Sequence, residues 1–303
     1  MKLGFLTACL PDLSLEEIAD WAVAQGYEAL EVAAWPDLGA RPFVATHLNA
    51  DSYDPQAIKN IFQSRNLQLS SIAFYDNNLH PDLKERAAIN NHVMKLIDIA
   101  SELGVESVGT FVGRDWNKSV RDNLKMAEEV FAPLVAHANS KSVKIIIENC
   151  VMEGWHPDGY PGNLAYSPEL WEWMFGIGLY LNFDPSHLVW MGIDPIAAVK
   201  PYINKIVHAQ AKDIEVFADR RNYYGYPGKS VVRENPWDVG WWRYRVPGLG
   251  EVDWRRLIDV LYEGGFNGTL SVEHEDPLWG GSEEKNKIGL QIAYKTLRPW
   301  IVK

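Results

Sequence analysis

Apolar runs of strand length recur along the whole chain, separated by segments with helical spacing and helix punctuation. The runs are KLGFL (2 to 6), ALEVA (29 to 33), LSSIAF (69 to 74), SVGTF (107 to 111), VKIIIE (143 to 148), LYLNF (179 to 183), KIVHAQ (205 to 210) and TLSVE (269 to 273). Most are nearly continuous in apolar character, as parallel strands covered on both faces must be.

The intervening segments carry their own start and stop signals. Ser14 with Glu17 makes a capping box, and Gly26 stands where a left-handed C-terminal cap belongs. Asp54-Pro55, Ser167-Pro168 and Asp194-Pro195 each place an N-cap residue before a proline at the first helical position. Asp253 and Ser282 are further N-caps, and after Asp253 the residues Leu257, Ile258 and Leu261 form an apolar face that ends at Gly264-Gly265.

Eight strands alternating with eight helices predict an α/β fold, a single (β/α)8 TIM barrel over residues 1–303. Its reactive site would lie at the C-terminal ends of the strands. An open doubly wound sheet is the competing arrangement, but neither GxGxxG nor GxxxxGK[ST] follows the first strand. The longest insertions, 34 to 54 and 213 to 250, both leave from the end that would bear the site.

Composition narrows the partners. A net charge of −11 opposes general binding to nucleic acid or anionic lipid, and no apolar run approaches the roughly 18 residues needed to span a bilayer. Two cysteines, Cys9 and Cys150, supply no disulfide framework and no zinc-ligand spacing, which points to a reducing, cytoplasmic setting. Leu6-Thr7-Ala8-Cys9 has the form of a lipoprotein cleavage box, yet what precedes it is too short for a signal peptide and reads as the first strand.

Candidate chemistry gathers at the ends of the last four strands. Ile145-Ile146-Ile147 leads to Glu148 and then Asn149; the sixth run ends at Asp184, with His187 three residues on. In IVHAQAKD the alternation of side chains puts His208, Gln210 and Lys212 on one side. The eighth run ends at Glu273. Neighbouring strands lie about 4.8 Å apart, so four such ends on a curved sheet converge, and three converging carboxylates repel unless a cation lies between them. A divalent metal held by Glu148, Asp184, Gln210 and Glu273 satisfies this pattern. Oxygen ligands suit Mn²⁺ or Mg²⁺, with Co²⁺ and Zn²⁺ as alternatives. Any one such acid taken alone is more often a cap or an ion-pair partner, and His208 alone more often a core histidine. The run of four is what carries the reading.

The segments IIIEN, NFDPSH, VHAQAKD, RVPGLGEVDW (245 to 254) and SVEHEDP (271 to 277) together resemble the xylose-isomerase-like TIM-barrel family of sugar isomerases and epimerases. The resemblance covers essentially the whole chain and is specific for the superfamily, not for a substrate. It implies a metal held by a Glu, an Asp, a His or Gln and a second Glu, which match Glu148, Asp184, Gln210 and Glu273. Many members read H-x-H where this chain reads H-x-Q; counted back from the Lys-Asp pair, the second position ligates, as in hydroxypyruvate-isomerase-like members. The resemblance also implies His187 and Arg245 as substrate contacts; Lys212 and His208, on the inward side of the seventh run, are further substrate-binding candidates.

The expected activity is metal-dependent isomerisation or epimerisation of a ketose, aldose or sugar derivative through an enediolate, with Glu148 and Glu273 exchanging the proton. A dehydratase of a keto-sugar or inosose and a non-enzymatic sugar-binding barrel are the alternatives. An apurinic-site endonuclease is opposed by the net charge and by the missing second H-x-H. Trp35, Trp116, Trp155, Trp237, Trp241, Trp242 and Trp279 fall in loops after strands, where they would cover a sugar ring, the barrel or a subunit contact in a homo-oligomer. His47 and His80 lie in loops that could also face the pocket.

Overall fold

The computed structural model describes residues 1–36, 44–155, 161–235 and 238–302. Eight parallel strands close on themselves: β1 (Lys2–Leu6), β2 (Ala29–Ala33), β3 (Gln68–Asn77), β4 (Ser107–Phe111), β5 (Lys144–Glu148), β6 (Tyr180–Phe183), β7 (Ile206–Ala211) and β10 (Thr269–Val272). The last strand lies between β7 and β1, with Leu270 beside both Leu3 and Ala209, which completes the ring. The barrel expected from the apolar runs is the barrel observed.

Among the described residues ten α-helices accompany the strands: α1 (Leu15–Gln25), α2 (Pro55–Gln63), α3 (Leu83–Leu103), α4 (Val120–Ser140), α5 (Pro168–Gly176), α6 (Ser186–Trp190), α7 (Pro195–Val199), α8 (Ala218–Tyr224), α9 (Trp254–Glu263) and α10 (Glu283–Leu297). Their starts follow the punctuation. Ser14 and Glu17 form the reciprocal box, and Asp54, Asp194, Asp253 and Ser282 each accept amide hydrogen bonds from the first turn. Ser167 makes no such bond, so at α5 the fixed φ of Pro168, rather than a hydroxyl, marks the start.

Outward-facing strand residues build the apolar layer under the helices. Phe5 packs edge-on against Trp21 and Tyr27, Phe74 against His92, and Phe183 against Trp171. The positions that alternate with them are polar. Glu31, Tyr75, Asn182, His208 and Gln210 all lie inside the barrel, where bulky aliphatic layers are the rule. Tyr75 donates to Glu31, Asn182 Nδ2 donates to Tyr75 Oη at 2.7 Å, and His208 bridges Asn182 Oδ1 and Ser70 Oγ at 3.1 Å each. Gly109 makes room for this network, since a Cβ there would lie 2.5 Å from Tyr75 Oη.

Two features depart from the expected boundaries. Strand β3 continues to Asn77, three residues past its apolar run, through a register break after Ala73. Part of the 213 to 250 insertion folds as an antiparallel ribbon, β8 (Asp213–Val216) with β9 (Trp242–Arg245), an element no periodicity announced. The ribbon carries a second apolar cluster of Val151, Trp190, Ile214, Val239, Trp241 and Trp242.

Candidate active site

Each charged group of the site stands at or just past a strand end. Glu148 is the last residue of β5, while Asp184, Lys212 and Glu273 each follow directly on β6, β7 and β10. Oxygens of Glu148, Asp184 and Glu273 lie within 4.8 Å of one another, and the three residues are at most 8% exposed. Asn149, next to Glu148, fixes Asp184 by two backbone bonds: its Oδ1 accepts from Asp184 N at 2.8 Å and its Nδ2 donates to Asp184 O at 2.7 Å. Asp184 Oδ1 then accepts from Ser186 N at 2.8 Å, which starts the short α6 and brings His187 inward.

Two cations face these acids. The Lys212 ammonium lies 2.8 Å from Glu273 Oε2, 3.2 Å from Asp184 Oδ2, 3.2 Å from Glu275 Oε2 and 3.8 Å from Glu148 Oε1. It also sits 4.7 Å from the centre of the Tyr244 ring. His187 Nε2 is 3.1 Å from Glu148 Oε1 and 3.3 Å from Asp184 Oδ2, and its Nδ1 meets the Tyr244 hydroxyl at 3.2 Å.

This crowding splits the acids. Burial raises the pKa of Glu148, and burial together with the Glu148 charge holds Glu273 well above the carboxylate range. Asp184 goes the other way, to about 2: burial opposes its charge, but Lys212 and His187 outweigh it. Burial also opposes the charge on Lys212, and Glu273, Glu275, Asp184 and Glu148 together push its pKa well up. One glutamate ready to hold a proton beside a fixed carboxylate is the arrangement acid-base chemistry needs.

The donor set also fits a divalent cation. Gln210 Oε1 is buried and accepts no hydrogen bond, while Asp184 Oδ2 is buried against the Lys212 and His187 side chains. Gln210 Nε2 lies 3.4 Å from both Glu31 Oε1 and Tyr75 Oη, so the interior network takes its amide and leaves its carbonyl oxygen free. Strand register places Gln210 two residues past His208, which pairs with Asn182, so Gln210 lies level with Asp184. The three clustered carboxylates offer a hard, all-oxygen donor set, to which the free Gln210 oxygen would add.

The structure brings together Glu148, Asp184, His187, Lys212 and Glu273 from the expected site residues. His208 lies deeper, bonded to Ser70 and Asn182, away from the acidic cluster. Arg245 is held by Asp276 Oδ2 at 2.8 Å and Glu215 Oε2 at 2.7 Å. His47 bonds Thr7 and Leu10 within the fold, and His80 caps the approach to α3 and packs on Trp116. Trp35 and Trp155 pack on barrel aromatics, Trp279 packs against the main core, and Trp241 and Trp242 belong to the ribbon cluster. Trp237 lies outside the described residues. Sequence reasoning missed Glu275, Tyr244 and Glu153. Glu275 follows Glu273 by two residues, so alternation alone would have put it on the same side.

The model of the xylose isomerase-like TIM barrel matches residues 19–295. The chain belongs to that family. It is 28% identical over 313 residues to the uncharacterised protein YfiH of Bacillus subtilis, covering 91% of this chain and 93% of that one. Inosose dehydratase of Clostridium botulinum is 23% identical over 294 residues, covering 91% and 88%. Among solved structures, the IolI protein with a bound zinc atom has a TM-score of 0.71 at 19% identity, covering both chains fully. D-psicose 3-epimerase of Clostridium cellulolyticum H10, solved with D-tagatose, has a TM-score of 0.69 at 16% identity over 99% of each chain. These last two are likenesses of fold. The described residues contain no helix long and apolar enough to cross a membrane.

Proposed function

We propose that this chain is a metal-dependent isomerase or epimerase of a ketose, aldose or related sugar derivative. The observation that carries the reading is the buried meeting of Glu148, Asp184 and Glu273, with the two glutamates raised in pKa and the aspartate lowered. Glu148, Asp184, Gln210 and Glu273 would hold one divalent ion, Mn²⁺ or Mg²⁺ by the hardness of the set, and such an ion supplies Lewis-acid polarisation of substrate oxygens.

The protein's own groups do the remaining work. Glu273 or Glu148 takes the proton from the carbon beside the carbonyl, and the other returns one to the opposite face or the adjacent carbon. Lys212 keeps the glutamate that is not carrying a proton in its charged form, and His187 offers a donor to a substrate oxygen. Tyr244 fixes the His187 ring.

Dehydration is the second reading, favoured by the inosose dehydratases among the relatives. In that reading His187 would protonate a departing hydroxyl, with His208 engaged in the barrel interior. Incubation of the Mn²⁺-loaded protein with a panel of ketoses and inososes in D2O separates the two. Deuterium beside the carbonyl of an isomeric product supports proton return. A product lighter by one water overturns it in favour of elimination.

A further inference from the structure

We propose that Glu148, Cys150 and His187 form a second, thiolate-bearing site for a zinc-class divalent ion, overlapping the all-oxygen site through Glu148. Cys150 follows Glu148 by two residues, is 7% exposed, and has no part in the proton transfer described above. One ligand atom from each of the three residues lies within 4.8 Å of the others. Around a tetrahedral zinc, sulfur and nitrogen ligands at about 2.3 and 2.0 Å stand roughly 3.5 Å apart, so a modest side-chain rotation closes the set.

Ligand chemistry separates this site from its neighbour. Glu148, Asp184, Gln210 and Glu273 offer oxygen alone, whereas sulfur and imidazole beside one carboxylate select softer ions. Glu153 is 1% exposed and close enough to feel the charges of His187 and Lys212, and its burial raises its pKa, so it is not a further ligand here.

Coordination replaces the Cys150 thiol proton with a metal–sulfur bond and one ring proton of the charged His187 with a metal–nitrogen bond; both protons leave to solvent, and no oxidant or reductant is involved. It also draws His187 away from Glu148 and Asp184, so an ion in this site disables the histidine that would face substrate. The oxygen site and the thiolate site therefore answer differently to hard and soft ions, and only the sharing of Glu148 rests on the metal reading above.

The test is titration of the metal-free protein with Co²⁺, read by absorption. Thiolate coordination gives an intense near-ultraviolet sulfur-to-cobalt band, which oxygen ligands do not produce. The expected result is that band in the wild type and in Cys9→Ser, with loss in Cys150→Ser. Cys150→Ala, checked for native circular dichroism, should lose it equally, and both Cys150 variants should keep the weak visible absorption of Co²⁺ in the oxygen site. A wild-type chain that saturates with Co²⁺ and shows no sulfur band overturns the proposal while leaving the oxygen site standing. A band that survives Cys150→Ser overturns it as well.

Discussion

Replacing Lys212 by methionine removes the ammonium that Glu148, Asp184, Glu273 and Glu275 share, at nearly constant length and apolar volume. At an effective dielectric of about 20, one ion pair at these separations is worth roughly 4 to 6 kcal/mol of attraction. Most of that is offset by the cost of dehydrating a lysine that is only 2% exposed. Breaking a buried pair by deleting one partner leaves a net loss of about 3 to 5 kcal/mol, because the stranded carboxylates must then find protons. The metal-free Lys212→Met protein should therefore lose about that much unfolding free energy in urea.

Divalent metal affinity should move the other way. With the ammonium gone, Glu148, Asp184 and Glu273 present a more negative site, and Mn²⁺ should bind about tenfold tighter or more, each tenfold being about 1.4 kcal/mol. Calorimetric titration with Mn²⁺ measures this directly, and the urea midpoint in excess Mn²⁺ should recover more in the variant than in the wild type. Opposite signs for metal-free stability and metal affinity are the signature of a cation that compensates the site. Weaker Mn²⁺ binding in Lys212→Met, with metal-free stability unchanged, would refute the reasoning.

Three further outcomes are expected. Glu273→Gln keeps size while removing the base, so turnover of an accepted sugar should fall by roughly 10²-fold or more with folding retained; full activity in a metal-loaded variant removes Glu273 from the mechanism. Asp213→Asn turns two of the amide acceptor positions into donors facing donors and should cost about 1 to 3 kcal/mol in thermal or urea unfolding, against no change if the loop were loosely held. His47 has its pKa lowered by burial from 6.5 to about 4, so the unfolded chain binds the extra proton between those values. Its contribution, up to about 3 kcal/mol, is present above pH 6.5 and is lost as pH falls toward 4; stability curves of wild type and His47→Gln that stay parallel across that window would exclude it.

The barrel was legible because its strands are nearly continuous apolar runs and its helices carry explicit caps. Glu148, Asp184 and Glu273 were legible for the same reason: an acid that ends an apolar run is visible against it. Depth along a strand was not. Alternation put His208 and Gln210 on the same inward side, but only strand register shows that His208 pairs with Asn182 and lies below the site. Glu31 was visible as an acid inside ALEVA, yet its hydrogen-bond partner Tyr75 is 44 residues away. The ribbon had no period to read, because Trp241 and Trp242 are held by Trp190 and Val151 from other parts of the chain. Arg245 matched a motif without revealing its partners Glu215 and Asp276, 30 and 31 residues distant.

The kind of hydrogen-bond partner separates acids that build the frame from acids of the candidate site. Asp213 accepts from Ile214 N, Gly248 N, Val252 N and Trp254 Nε1 at 2.8 to 3.0 Å, which wraps the RVPGLGEVDW segment around one carboxylate. Gly250 is required there, since a Cβ would strike Ile214 O and Asp213 Oδ1. Asp276 likewise accepts from Arg245 Nε and the amides of Val246, Leu278 and Trp279. Such fully satisfied, buried carboxylates hold two loops against the mouth of the barrel, and removing either strands several donors at once. The clustered acids are held differently: Asp184 Oδ2 faces His187 Nε2 at 3.3 Å and the Lys212 ammonium at 3.2 Å, and Glu273 Oε2 meets the same ammonium at 2.8 Å. Backbone amides cannot leave a carboxylate without unfolding the loop that carries them, whereas side-chain cations can be displaced by a bound ion or substrate. The same residue type thus reads as frame where backbone donors fill its lone pairs and as candidate site where side-chain cations face it, and the motifs that mark this family contain both.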